Sequence, residues 1–113
     1  MTNSITITGE LYSSKNSSMI IETEREVQVY LVKRLRQLKF LVFQTSNRSK
    51  TANTAGTPDV FAWDKRFDSW VAFECKSSSG ELTLEQELLR DCGATVIIRS
   101  KNEVDAWLGV SII

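Results

Sequence analysis

The chain has 113 residues, 42% apolar and 25% charged, with 14 basic side chains against 14 acidic ones and no histidine. That length supports one core and no second domain. The average apolar and charged fractions exclude disorder and a collagen-like repeat, and the charge balance excludes a protein that coats nucleic acid through bulk positive charge. Without histidine, Ser-His-Asp and Cys-His nucleophile chemistry and histidine-bearing zinc sites are excluded too, so catalysis is left to carboxylates, lysine, hydroxyls or a hard cation.

Residues 1–22 read as an arm, in which Ile5-Thr6-Ile7-Thr8 alternates like a short strand ahead of a polar run from Ser13 to Ser18. Thr23-Glu24-Arg25-Glu26 has the form of a capping box. It opens an amphipathic helix with Val27, Tyr30, Leu31, Leu35 and Leu38 on one side. Phe40–Gln44 reads as a buried strand, and residues 45–57 form a polar loop ending in Gly56-Thr57-Pro58. Asp59–Asp64 and Trp70–Ser77 flank a five-residue charged turn, which makes them an antiparallel hairpin.

A second capping box, Thr83 to Gln86, opens a helix with Leu88, Leu89 and Cys92 inward and Gly93 as its stop. Ala94–Arg99 is a short apolar strand. Ser100 to Glu103 is a third capping box, and its helix turns Val104, Trp107 and Leu108 inward and stops at Gly109. The order is α-β-β-β-α-β-α, an α/β fold with mixed strand directions: one domain with its core in residues 23–109 and a short apolar tail, 110–113. Cys75 and Cys92 lie 17 apart with no CxxC, which excludes a zinc ribbon and a redox pair and makes them small core residues. A reducing, cytoplasmic setting follows, and no stretch is long and apolar enough to span a membrane.

The informative chemistry lies on the hairpin. Side chains alternate along a strand, so Glu74 and Lys76 share one face while Phe73 and Cys75 take the other. If the turn centres near Phe67, partners across the hairpin have numbers summing to about 134, which sets Asp59 opposite the Glu74–Lys76 region. A slip of one residue would turn Asp59 away. Two carboxylates suit Mg²⁺ or Mn²⁺, and a neighbouring lysine suits the positioning or deprotonation of a water, a combination fitted to phosphodiester hydrolysis. Glu74-x-Lys76 alone means little, since nine Glu and seven Lys in this chain give about 0.6 such triplets by chance. Its weight comes from its place in an apolar strand downstream of Pro58-Asp59.

Gly56-Thr57-Pro58-Asp59-Val60-Phe61, then Phe73-Glu74-Cys75-Lys76, then Gly80-x-Leu82-x-x-x-Gln86 resembles the VRR-NUC family within the PD-(D/E)XK nuclease superfamily. The helix opening Glu24-Arg25-Glu26-Val27 is similar to that of archaeal-type Holliday junction resolvases, another branch of the superfamily. The resemblance spans about residues 23–103. It implies a restriction-endonuclease-like core in which Asp59, Glu74 and the Cys75 backbone carbonyl hold Mg²⁺ or Mn²⁺. Glu24 matches the acidic residue of the first helix, Lys76 the catalytic lysine and Gln86 the glutamine of the following helix. It further implies a homodimer acting on branched DNA, four-way junctions above all, in a bacterial or phage-infected cell.

Each of these residues has a plainer reading beside that one. Asp59 is also a strand-start residue after proline, and Glu74 with Lys76 also a solvated cross-strand ion pair. Glu24 is also an acid favoured by the helix dipole, with Glu26 as its substitute, and Gln86 also the capping partner of the Thr83 amide. Arg48, Lys50 and Arg99 are candidates for phosphate contact or simply solvated cations. Trp63 and Trp70 flank the turn as core, interface or base-stacking residues. The rival functional readings are an inactive nucleic-acid-binding or assembly module and a protein-interaction domain. The tail and the Ile5–Ile7 arm are the expected interface pieces of a dimer.

Overall fold

A computed structural model describes residues 21–45 and 56–109. The expected arm strand, the loop positions Arg48 and Lys50, and the tail 110–113 lie outside the described residues. The chain is an α/β fold with a mixed four-stranded sheet flanked by helices. Its elements are α1 (Glu24–Gln37), β1 (Leu41–Gln44), β2 (Val60–Asp64), β3 (Ser69–Cys75), α2 (Leu84–Asp91), β4 (Val96–Ile98) and α3 (Lys101–Leu108). The strands stand in the order β1-β2-β3-β4, with antiparallel β1–β2 and β2–β3 pairs and a parallel β3–β4 pair.

Local capping chemistry sets the helix starts. Thr23 Oγ1 accepts from the Glu26 N–H at 3.1 Å and Glu26 Oε1 accepts from the Thr23 N–H at 2.9 Å, satisfying two otherwise orphaned donors. Thr83 and Gln86 repeat the exchange at α2, at 3.2 and 2.9 Å. At α3 the box is only half made: Ser100 Oγ accepts from the Glu103 N–H, but the Glu103 carboxylate reaches past Ser100 to the Arg99 N–H. Gly109, at φ 79, ends α3 in the left-handed region that glycine adopts freely.

α1 buries Val27, Leu31, Val32 and Leu35 against the sheet face that carries Val42, Val60, Ala62, Phe73 and Cys75. Each buried Val, Leu or Phe among them contributes about 2 kcal/mol of apolar burial. Leu38, expected inward, is the C-cap and is exposed, while Val32 takes its place in the core. α3 closes the same layer with Val104 and Leu108 buried, Trp107 edge-on to Phe73 at 4.9 Å, and Asp105 accepting from the Tyr30 hydroxyl at 3.0 Å.

The opposite sheet face departs from expectation. β1 was expected to be buried, yet only Val42 is; Leu41 and Phe43 point outward from an edge strand. The Leu88 side of α2 is likewise uncovered, no residue of that helix being buried, and Cys92 is exposed as its C-cap. Trp70 is exposed and Trp63 half-buried. Periodicity identifies an apolar side of an element; it does not say whether a partner covers it.

Candidate metal centre

The hairpin register decides the geometry. Val60 pairs with Phe73 and Asp64 with Ser69, so Asp59 stands opposite Glu74, one residue beyond the last ladder pair. Asp59 is held on three sides. Its N–H donates to the Phe73 carbonyl at 2.9 Å, its carbonyl accepts from the Thr45 N–H at 2.9 Å, and its Oδ2 accepts from the Cys75 N–H at 3.0 Å. The Thr45 hydroxyl also donates to the Pro58 carbonyl, tying the preceding residue to β1.

Gly56 fixes the approach to this point. At φ 86 it lies where L side chains are strained, and a Cβ there would stand 2.6 Å from the Glu85 Cβ of α2. The Gly56 turn and the first turn of α2 therefore pack backbone to side chain, with no room for a methyl group.

Glu24, at the first position of α1, completes the cluster. One carboxylate oxygen from each of Glu24, Asp59 and Glu74 lies within 4.8 Å of the other two. Asp59 and Glu74 are buried and Glu24 is on the exposed rim. Glu24 is the first-turn acid that lies in the cluster, while Glu26 accepts from the Thr23 amide.

Glu74 carries the decisive anomaly. It is 4% exposed, and its Oε1 has no hydrogen-bond partner, the only carboxylate oxygen so placed among the described residues. Leaving such an oxygen unsatisfied is costly. Burial, and after it the Asp59 charge and the hydrogen bond shared with Asp59, push the Glu74 carboxyl up to about 8. The Lys76 charge pulls in the other direction without offsetting them. Burial likewise raises the Cys75 thiol, with Asp59 and Glu74 adding to it, so this core cysteine stays protonated and no nucleophile.

Three carboxylates, one with a buried orphan oxygen, fit a hard divalent cation that takes oxygen ligands and keeps some of its waters. Lys76 is half-buried beside the cluster, and its main-chain N–H donates to the Ile98 carbonyl of β4 at 2.9 Å. Gly80 packs beside it: a Cβ there would meet the Ser77 Oγ at 3.2 Å and the Lys76 Cδ at 3.4 Å.

Two further candidates have other partners. Gln86 gives its side-chain carbonyl to the Thr83 amide, which is the capping role. Arg99 donates from Nη1 to the Ser77 carbonyl at 2.8 Å and the Gly80 carbonyl at 2.7 Å. Through Nη1 it clamps the turn between Lys76 and α2. That clamp was not legible from the sequence, since a basic residue at a strand end looks the same whether it meets solvent or a loop carbonyl. Comparison with protein-family models, with curated proteins and with solved structures finds no match for this chain. None of the described helices is long and apolar enough to cross a membrane.

Proposed function

We propose that this protein is a Mg²⁺- or Mn²⁺-dependent endodeoxyribonuclease of the VRR-NUC type, with a restriction-endonuclease-like core, acting on branched DNA such as four-way junctions in the cytoplasm of a bacterial or phage-infected cell. The observation that carries the reading is the buried, partnerless Oε1 of Glu74 at the meeting point of three carboxylates. Ordinary surface acids do not pay that cost, whereas a cation ligand recovers it on binding.

Asp59, Glu74 and Glu24 hold the cation, with the Cys75 carbonyl as a further oxygen ligand. When bound, the cation supplies an acidified water and neutralises charge developing on the phosphate. The Cys75 N–H keeps the Asp59 carboxylate in one orientation, so its free oxygen needs no reorganisation. The Lys76 ammonium would orient the attacking water and stand against charge developing on the phosphate. Arg99, by clamping Ser77 and Gly80, positions the segment that follows Lys76. Gln86 retains only its amide NH₂ for a substrate oxygen.

A second reading, a binding module of the same fold without turnover, is favoured by one observation: Arg99 and the Gln86 carbonyl are both engaged internally. Cleavage of a labelled four-way junction beside its linear duplex, with Mn²⁺ or EDTA and with wild type and Lys76→Ala, separates the two. Metal-dependent cutting of the junction that disappears in the variant is the expected result. Binding to the junction with no cutting at micromolar protein overturns the nuclease reading in favour of the second.

A further inference from the structure

At the end of the hairpin away from the acid cluster, the C-terminal ends of α1 and α3 and the turn after β2 enclose a cavity of about 300 Å³. The length of β2 separates Asp64 from Asp59, which sets this cavity about 17 Å from the candidate metal centre. Its apolar walls are Leu38, Phe40 and Leu108, and its charged residues, Lys39, Lys65 and Arg66, are all basic. Arg66 is a fixed part of the wall. Asp64 takes its Nε and Nη2, the Leu108 carbonyl takes its Nη1, and its guanidinium lies 5.6 Å from the Phe40 ring centroid and 4.8 Å from that of Trp107. Lys39 and Lys65 are exposed, and among the described residues neither is paired with a carboxylate.

Lys39 also stands where the backbone is strained. The Phe40 N–H donates to the Leu35 carbonyl at 2.9 Å and the Lys39 N–H to the Arg36 carbonyl at 3.0 Å, the two bonds of a Schellman end whose central residue is usually glycine. Lys39 takes that place at φ 70. Glycine would end α1 there without strain, so the helix end by itself gives no reason for a side chain. The macrodipole of α1 favours a cation, but Arg34 and Arg36 already supply two in the last turn.

We propose that this cavity binds a small amphipathic carboxylate, with its apolar body against Leu38, Phe40 and Leu108 and its head between Lys39 and Lys65. Charge and size choose the occupant. Three cations set against Asp64 and the half-charges of two helix C-termini leave about one positive unit at the mouth, which suits a monoanion. The volume holds about ten non-hydrogen atoms at roughly the 30 Å³ that a water occupies in the liquid, the low end of ligand pockets. A DNA backbone has no apolar body for these walls. The inference holds or fails apart from the nuclease reading.

Octanoate has that size and charge and is the probe, titrated into the full chain and followed by ¹H–¹⁵N NMR. Saturable binding with shifts centred on Lys39, Phe40 and Leu108 is expected. Lys39→Gly and Lys65→Gln should each weaken it about tenfold and Lys39→Arg should retain it, with circular dichroism and Mn²⁺ binding unchanged. 1-Octanol, the same chain without the charge, should bind at least about tenfold more weakly. Octanol binding as tightly as octanoate, or Lys39→Gly binding octanoate as wild type does, overturns the cationic head site. Saturable binding only in a variant lacking residues 110–113 overturns the ligand in favour of the chain's own tail, and displacement of octanoate by duplex DNA overturns it in favour of a phosphate backbone. No saturable binding at millimolar octanoate in either protein overturns the proposal outright.

Discussion

The hairpin buries an acid near each end and treats the two in opposite ways. Asp64, 2% exposed, receives the Arg66 Nη2 at 2.9 Å, its Nε at 3.0 Å and its backbone N–H at 2.9 Å. Arg66 in turn lies over Trp107 at 4.8 Å and donates to the Leu108 carbonyl. The Arg66 hydrogen bonds hold the Asp64 carboxyl below its usual range, and Asp64 raises Arg66. Glu74, 4% exposed, has no such cation bonded to it, and its carboxyl is raised. Equal burial with opposite satisfaction separates an acid paired within the fold from one whose Oε1 has no partner, the contrast on which the proposed metal site rests.

The largest expected effect breaks the ligand end. Glu74→Gln, close in shape but unable to carry charge, should lower Mn²⁺-dependent cleavage at least about a hundredfold, measured on the junction under saturating DNA. At the other end, Arg66→Met should leave Asp64 buried without its partner and cost about 3 kcal/mol in urea denaturation, with Mn²⁺ binding retained. Asp64→Asn should cost less, because the Arg66 it strands is 41% exposed and can be solvated.

The two acids also predict opposite responses to pH. Glu74, raised from 4.5 to about 8 in the folded metal-free chain, holds a proton that the unfolded chain releases first. Its contribution to metal-free stability therefore falls as pH rises from 4.5 to 8, while apparent Mn²⁺ affinity climbs about tenfold per pH unit toward 8. Asp64, lowered, contributes stability that is present above 3.8 and lost as pH falls through its folded value. Thermal melts of metal-free wild type and Glu74→Gln check the first sign. At pH 8 the variant should melt at a clearly higher temperature, and the gap should close toward pH 4.5. The smallest effect sharpens the comparison from the Gly56 side: Gly56→Ala should cost more than about 1 kcal/mol and weaken Mn²⁺ binding by disturbing the approach to Asp59.

Short-range chemistry was legible in the sequence. The capping pairs Thr23–Glu26 and Thr83–Gln86 announce their helices because donor and acceptor lie three residues apart, and a short charged turn announces the hairpin; its register was not legible, partner numbers summing to one less than expected, which sets Asp59 opposite Glu74. Contacts between distant elements were not legible. Arg99 reaching Ser77 and Gly80, and Gly56 against Glu85, depend on how the β3–α2 turn and the loop before β2 fold back. Arg66 read only as part of a charged turn, because spacing alone does not say which carboxylate a turn arginine grips. Leu41, Phe43 and Leu88 looked like core because apolar periodicity is the same for a covered face and a bare one.

The most direct measurement is a calorimetric titration of Mn²⁺ into the metal-free protein at pH 7, in two buffers of different ionisation enthalpy, for wild type and Glu74→Gln. Saturable binding with close to one proton released per ion by wild type, and no saturable binding by the variant, is the predicted result. Equal binding by both proteins, or binding with no proton released, would contradict the assignment of Glu74 as the ligand that the site keeps buried and unpaired.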